Sequence, residues 1–333
     1  MGTDRPVSVL ALTTNAAAPF FEQQVEALSR YGVETTVCAV PGDPTGSDGR
    51  SAIDYVRFGR IVRDRVDEST DLIHAHYGLI GPFAFTQRRC PVVLSLWGSD
   101  LHHPLIAPIS RLSARASSNV VVMSAEMARL LDTDCHVIPD GIDLETFRPM
   151  DGERARRSVG WTDGGYDVLF PYAKTRTVKD YPRARSIVER VDRRLSKPVR
   201  LRTVSGVSHE RVPAYMNAAD ALLLTSRSEG SPNAVKEAMA CELPVVSTPV
   251  GDVPARLASV EPSVVAGSND ALVDGLETVL VNGGRSNGRD AARSVGIDRQ
   301  TNALLAVYED AIDREVSLVP RAEEPELANT DTT

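Results

Sequence analysis

The stretch that decides the fold runs from Ala221 to Thr248, ALLLTSRSEGSPNAVKEAMACELPVVST. Ala221–Thr225 is a short unbroken apolar run, the mark of a strand buried on both faces, as parallel sheets require. A polar loop follows. Pro232–Ala240 then reads as helix, with Ser231 expected as its N-cap and Pro232 at its first position. Pro244–Thr248 reads as strand again. Strand, loop, helix, strand is one turn of a doubly wound α/β fold, and such folds bind ligands outside the carboxyl ends of their strands. The N–H groups and dipole at a helix start there suit phosphate or sugar oxygens. Glu229 lies in the loop and Glu237 two turns along the helix. A carboxylate in such a crevice can accept hydrogen bonds from both hydroxyls of a ribose or hexose. Two glutamates at random would be solvated surface groups. The strand–loop–helix context, with Gly230, Ser231, Pro232 and Asn233 between them, points to function instead.

The same alternation extends outward in both directions. Upstream, Val7–Leu12, Thr35–Val40, Leu72–His76, Val92–Leu96, Val120–Met123 and His136–Ile138 read as strands. Phe20–Arg30, Ile53–Val66, Leu79–Gln87 and Ala125–Leu131 read as the helices between them. The turn-rich PDGIDLETFRPMD of Pro139–Asp151 interrupts the pattern. It then restarts with strands at Val168–Pro171 and Val199–Val204, and with helices at Pro182–Leu195 and Val212–Ala218. Ala271–Val281 and Ala291–Glu315 read as helices beyond the decisive stretch. The expectation is an α/β protein of two Rossmann-like, doubly wound parallel-sheet domains. Residues 1–148 form the first and 149–318 the second, with the last helix free to cross back. The acidic, proline-containing residues 319–333 are expected to be a disordered tail.

Composition narrows the function classes. A chain of 333 residues suits two domains, and 42% hydrophobic with 25% charged residues excludes a disordered chain, a collagen or a disulfide scaffold. The formal charge of −8 is shared by both halves, so neither is a polycation and duplex nucleic acid is not expected as a partner. Cys38, Cys90, Cys135 and Cys241 form no CxxC unit, and three of them adjoin apolar runs as reduced core thiols would. The N-terminus lacks the basic-then-apolar pattern of a leader, and no stretch of 18 apolar residues exists. A cytoplasmic protein is expected, with peripheral contact at the inner face of a membrane left open. Lysine is scarce: Lys174, Lys179, Lys197 and Lys236 are all of it, and two fall in one loop.

EGSPNAVKEAMACELPVVSTPVG resembles the donor-site signature of the retaining GT-B glycosyltransferases of family 4. HVIPDGIDLETFRP is similar to that family's interdomain segment, and DLIHAHYGL to its histidine-bearing acceptor-domain strand end. The likeness spans most of residues 1–310 and is most specific at Glu229–Glu237. It implies a GT-B architecture, two Rossmann-like domains facing a central cleft. It further implies a nucleotide-diphosphate sugar as donor, a saccharide, lipid-linked or small-molecule hydroxyl as acceptor, and neither cofactor nor metal. Within it, Glu229 would lie by the donor sugar and Glu237 would hold the nucleotide ribose. Gly230, Ser231 and Asn233 would face the diphosphate. The family's Arg/Lys pair falls on PYAKTRTVKDYP, where Lys179 matches the lysine. The arginine's place stays open between Lys174, at the same five-residue spacing, and Arg176. Cations there stabilise charge that grows on the departing diphosphate.

The resemblance makes His76 the cleft histidine that contacts the donor sugar. His74 faces the same side by the two-residue period of a strand and reads more readily as a structural histidine. In SLWGSDL, Asp100 either binds acceptor hydroxyls or caps the following helix, and Trp97 stands where the family often has a histidine or aromatic residue. Asn15-Ala16-Ala17-Ala18 replaces the glycine pair that many relatives carry after the first strand. Asp132-Thr133-Asp134 imitates a DxD metal site but follows a helix, the context of a solvated turn. Arg57, Arg60 and Arg63 share a helix face, diluted by Asp54, Asp64 and Asp67 into a solvated surface. Val204–Val212 lies where relatives receive the nucleobase. Two alternatives keep the fold: epimerisation or hydrolysis of a nucleotide sugar, or a non-catalytic scaffold that binds one. No GxGxxG follows any strand, which argues against an NAD dehydrogenase.

Overall fold

The computed structural model describes residues 5–42, 50–161 and 164–313. They build two wholly parallel sheets. The first contains β1 (Val7–Thr13), β2 (Val33–Ala39), β3 (Leu72–His76), β4 (Val92–Leu96), β5 (Asn119–Val122) and β6 (His136–Val137), in the order β2-β1-β3-β4-β5-β6. The second contains β7 (Tyr166–Phe170), β8 (Val199–Thr203), β9 (Ala221–Leu224), β10 (Val245–Ser247) and β11 (Val264–Val265), ordered β11-β10-β9-β7-β8. In each sheet the winding reverses once, between β1 and β3 and between β7 and β9. A crevice opens at such a switch point because the flanking connections leave in opposite directions. Register sets the rim of the first crevice, with Thr13 opposite His76 and His76 opposite Ser95.

Every residue of β3, β4, β5 and β9 is buried, as the unbroken apolar runs require. The helix expected over Leu79–Gln87 shrinks to a 3-10 turn, Gly78–Ile80, and one α turn, Gly81–Ala84. A helix that the sequence reading misses, Ala107–Ala116, lies against it. Its buried side is small and polar (Ala107, Ser110, Ser113, Ala114), so it shows no large apolar period. Glycine makes that contact: a Cβ on Gly78 would stand 2.0 Å from Ser110 Oγ, and one on Gly81 2.5 Å from Ser113 Oγ. The Ala125–Leu131 helix stops at Ala128, and the Ala291–Glu315 reading divides at Gly296 into Gly288–Ala292, a 3-10 turn and Ile297–Ile312. Of the cysteines, Cys38 and Cys241 are buried while Cys90 and Cys135 are half-buried, and all four thiols are free.

The chain passes between the sheets twice, at Pro139–Ile142 and at Gly296–Ile297, and the two passages bond to each other. Ile142 N–H donates to Val295 O at 2.9 Å, and Ile297 N–H to Ile142 O at 3.0 Å. Gly141 has no room for a side chain there, because a Cβ would lie 2.5 Å from Ile297 Cα. The Ile297–Ile312 helix then packs on the first sheet, placing Leu304, Leu305, Val307 and Tyr308 in that core. Asp310 accepts a hydrogen bond from Asn119 Nδ2 at 2.7 Å. The expected tail, 319–333, lies outside the described residues. Among the described residues, no helix is long and apolar enough to cross a membrane.

Candidate active site

A cleft of about 980 Å³ lies between the carboxyl ends of the two sheets. It gathers Glu229, Gly230, Ser231, Asn233 and Glu237, the basic residues Arg176 and Lys179, and, from the opposite side, His76. Asp140, on the first passage between the sheets, also reaches it. The volume is at the upper end for small-molecule sites and has room for two substrates.

Lys179 and Glu229 form an ion pair, with side-chain exposures of only 6% and 14%. Burial holds the Lys179 ammonium below its usual pKa while Glu229 pulls it back up. Nζ also lies 3.9 Å over the Tyr172 ring. Thr225 Oγ1, at the end of β9, donates to Lys179 O at 2.9 Å and so ties this loop to the glutamate loop. Lys174 is exposed and lies outside the cleft, 5.1 Å over Tyr181. Of the two positions left open for the second cation, the geometry therefore favours Arg176, and the expected donor contact of Lys174 is withdrawn. Lys174 sits in the 174–175 turn with its ammonium over the Tyr181 ring, whereas Arg176, next to the Thr177–Lys179 3-10 turn, lines the cleft.

The helix after the loop begins at Asn233, with Pro232 as N-cap and no side-chain cap. The expected cap by Ser231 is thus corrected. Its hydroxyl donates instead to Asp252 Oδ2 at 2.8 Å, and Asp252 N–H donates to Gly230 O at 3.1 Å. The Gly251–Asp252 turn, absent from the sequence reading, is thereby the backing of the loop. Unpaired N–H groups in the first turn of a helix remain free to meet an anion. Glu237 is buried, and burial raises its carboxyl to about 7; its Oε1 lies 3.9 Å from His209 Nε2. Lys236, wholly buried beside it, donates to Asp140 O at 2.7 Å, and Asn233 Nδ2 reaches Asp140 Oδ2 at 3.4 Å. These groups join the donor-side helix to the passage between the sheets. The available signal was a lone lysine inside the small, apolar run NAVKEAMA.

On the first-sheet side, His76 is 3% exposed and its Nδ1 has no partner among the described residues. Burial lowers its pKa to about 3, so the imidazole is neutral at ordinary pH. Phe21 meets it edge-on, and His74 lies behind it with ring centroids 3.9 Å apart. His74 is the structural one, with Nδ1 hydrogen-bonded to Tyr308 Oη and Nε2 to Ser95 Oγ, both at 2.7 Å. Asp100 is wholly buried and outside the cleft, so the acceptor-binding expectation for it is corrected. Its carboxylate takes the N–H of Gly78 at 2.8 Å and of Trp97 at 2.5 Å, which is the capping alternative. Gly78 follows Tyr77, whose φ of 111° is strained for a side-chain-bearing residue and turns the chain sharply after His76. Asp100 therefore pins the strand end that presents His76. Asp132 pairs with Arg115, and among the described residues no three His, Cys, Asp or Glu are grouped to hold a metal.

Two family models match this chain. The "Glycosyl transferase 4-like domain" covers residues 3–141, and "Glycosyl transferases group 1" covers 178–282. The chain is 26% identical to a D-inositol 3-phosphate glycosyltransferase of Acidothermus cellulolyticus, over 73% of this chain and 67% of that protein. It is 24% identical to D-inositol 3-phosphate glycosyltransferase 1 of Catenulispora acidiphila, over 90% and 86%. Among solved structures, sucrose-phosphate synthase of Thermosynechococcus elongatus is similar, with a TM-score of 0.72 at 14% identity, covering 91% of this chain and 98% of that one. HepE of Anabaena, solved with UDP and glucose, has a TM-score of 0.65 at 15% identity, covering 90% and 98%. At such identities the structural likeness speaks for the fold.

Proposed function

The chain belongs to the GT-B glycosyltransferases of the family-4 type, and from that premise we propose which substrates and residues carry the transfer. The donor is a nucleotide-diphosphate sugar, gripped by the second half. The acceptor hydroxyl is presented against the first half, in water-accessible, cytoplasmic surroundings. The observation that carries this is the convergence of Arg176, the Lys179–Glu229 pair and the helix start at Asn233 on one end of the cleft.

Leaving-group charge grows on the diphosphate as the glycosidic bond breaks. Arg176, Lys179 and the N–H groups near Ser231 and Asn233 oppose that charge, with Lys179 buried so that its field is little screened by solvent. They supply the neutralisation that a divalent ion gives elsewhere, so the reaction is metal-independent. Glu237 accepts the ribose hydroxyls. Glu229, held by Lys179, and the neutral imidazole of His76 orient the sugar from opposite walls. Attack from the leaving-group face, with the acceptor proton passing to the diphosphate, would retain the anomeric configuration.

The test is a thermal-shift screen of UDP-, GDP- and ADP-sugars, with UDP-sugars first because HepE binds UDP. It is followed by transfer assays with and without EDTA and by product NMR for anomeric configuration. A tight donor at saturation should add a few kcal/mol of stability, about 2.7 at a hundred times Kd. If no nucleotide sugar shifts the melt, or if Glu229→Gln and Glu237→Gln both leave the rate unchanged, the reading fails. Turnover of donor with no acceptor added would favour the hydrolase or epimerase alternative.

A further inference from the structure

We propose that the acceptor is an uncharged saccharide that stacks on an aromatic platform of Trp97 and Phe20, an inference that rests on the transfer reading above. Trp97 follows β4 and Phe20 opens the Pro19–Arg30 helix. Their ring centroids are 4.7 Å apart at 48°, both rings are half-buried, and both line the first-sheet wall of the cleft. Trp97 continues the surface inward to His76, 6.4 Å away and nearly parallel at 22°. A platform that begins in open cleft and ends at the inner histidine leads a flat ligand toward the donor sugar.

The polar groups around the platform are neutral. Asn15, Gln23, Tyr77 and Ser99 line the same wall and can exchange hydrogen bonds with hydroxyls. A pyranose has an apolar face of C–H groups and a rim of hydroxyls, which matches an aromatic floor with neutral donors and acceptors at its edge.

Charge argues against a phosphorylated acceptor. The formally charged side chains of the cleft are Asp140, Arg176, Lys179, Glu229 and Glu237, on the second-sheet side or on the passage between the sheets. Among the described residues, no lysine or arginine lines the first-sheet wall. Arg50 reaches the back of the Thr13–Asn15 loop, but its guanidinium is bonded to three carbonyls: Thr14 O at 2.5 Å, Val40 O at 3.1 Å and Pro41 O at 3.3 Å. His76 is too strongly desolvated to carry charge, and the wall's other histidines, His102 and His103, are exposed to solvent at its rim. A phosphomonoester brings a charge of about −1.5 to −2 beside a diphosphate that already occupies the cleft's cations. The diphosphate repels it, and the neutral wall, among the described residues, offers it no lysine or arginine in compensation.

The experiment uses the full chain with whichever nucleotide sugar the screen selects. Initial rates are measured with methyl glycosides and myo-inositol against glucose 6-phosphate and D-inositol 3-phosphate. Trp97→Ala, Trp97→Leu and Trp97→Phe are compared, and donor Kd by calorimetry shows for each variant whether the donor half is intact. A neutral acceptor with the lower KM is expected. Trp97→Ala and Trp97→Leu should raise acceptor KM at least tenfold with kcat changed less than threefold, and Trp97→Phe should stay within threefold of the parent. A phosphorylated acceptor preferred over its neutral counterpart would overturn the proposal, as would an unchanged KM in Trp97→Leu. A wild-type chain that binds no nucleotide sugar would instead sink the transfer reading beneath it.

Discussion

Replacing Gly98 by alanine tests whether the cleft works only when its two walls touch. A Cβ at Gly98 would stand 2.8 Å from Gly230 N and 3.3 Å from Glu229 C, which are backbone atoms of the opposite wall. An unstrained carbon–nitrogen contact is about 3.4 Å, so roughly 0.6 Å must be found. The donor loop cannot supply it by retreating. Behind it, a Cβ on Gly251 would already lie 2.3 Å from Gly230 O, and Asp252 holds that oxygen. The Trp97–Gly98 turn is fixed by the buried Asp100 carboxylate. The remaining relief is for the walls to part about the two passages near Gly141 and Gly296, carrying His76 away from Glu229. A misplacement of 1 Å between reacting groups costs on the order of 100-fold, so about half that displacement should lower kcat roughly tenfold. Overpacking strain otherwise costs about 1–3 kcal/mol, and parting the walls avoids most of it, so Tm should move by only a few degrees. Steady-state transfer rates, donor Kd and a thermal melt on the same preparation decide the matter. An unchanged kcat in a folded Gly98→Ala protein would refute the reasoning. Gly230→Ala should be milder, because its nearest obstacle is the movable Met127 Sδ at 2.9 Å.

Three further outcomes are expected. Burial lifts Glu237 to about 7, and only the ionised form accepts both ribose hydroxyls. Donor affinity should therefore be full above about pH 7 and fall as pH drops through it, by at most tenfold per unit; a flat calorimetric profile from pH 5.5 to 8.5 would contradict this. Lys179→Met leaves the part-buried Glu229 carboxylate without its partner, which should cost about 1–2 kcal/mol of unfolding free energy by urea titration. In the same variant donor binding should be lost, whereas Lys174→Met should leave both measurements within error. Tyr308→Phe removes a buried hydrogen bond to His74 at 2.7 Å and should destabilise by about 1–2 kcal/mol without forming a large cavity. An unaltered urea midpoint would show that the bond contributes nothing net.

The layered α/β architecture was legible because its signal is local. Buried parallel strands such as Ala221–Leu224 and Leu72–His76 are continuous apolar runs, and their periods need no tertiary context. The helix at Ala107–Ala116 was not legible, since it packs through serines and alanines onto glycines far away in sequence. The Ser231 reading failed for a related reason: a hydroxyl placed to cap a helix found a carboxylate on a neighbouring turn, at Asp252. Residue type and spacing could not separate Lys174 from Arg176, because the difference is tertiary: Lys174 rests over the Tyr181 ring while Arg176 lines the cleft. Asp100 had two readings of equal chemical merit, and only its burial chooses between them. His74 and His76 look alike in sequence, yet one spends both nitrogens on neighbours while the other, among the described residues, keeps Nδ1 unpaired.

The Ile297–Ile312 helix gives the order of synthesis a physical meaning. Its Leu304, Leu305 and Tyr308 complete the apolar interior around β3 and β4, more than two hundred residues after β3 leaves the ribosome. Until then the first sheet carries an open groove, with His74 and Ser95 lacking the tyrosine that closes their hydrogen-bond chain. The amino-terminal half is expected to depend on that helix for its core, so a fragment cut between the two sheets should aggregate. A circular permutant that places residues 297–312 directly ahead of β1 would supply the missing wall first, and would let that half mature alone.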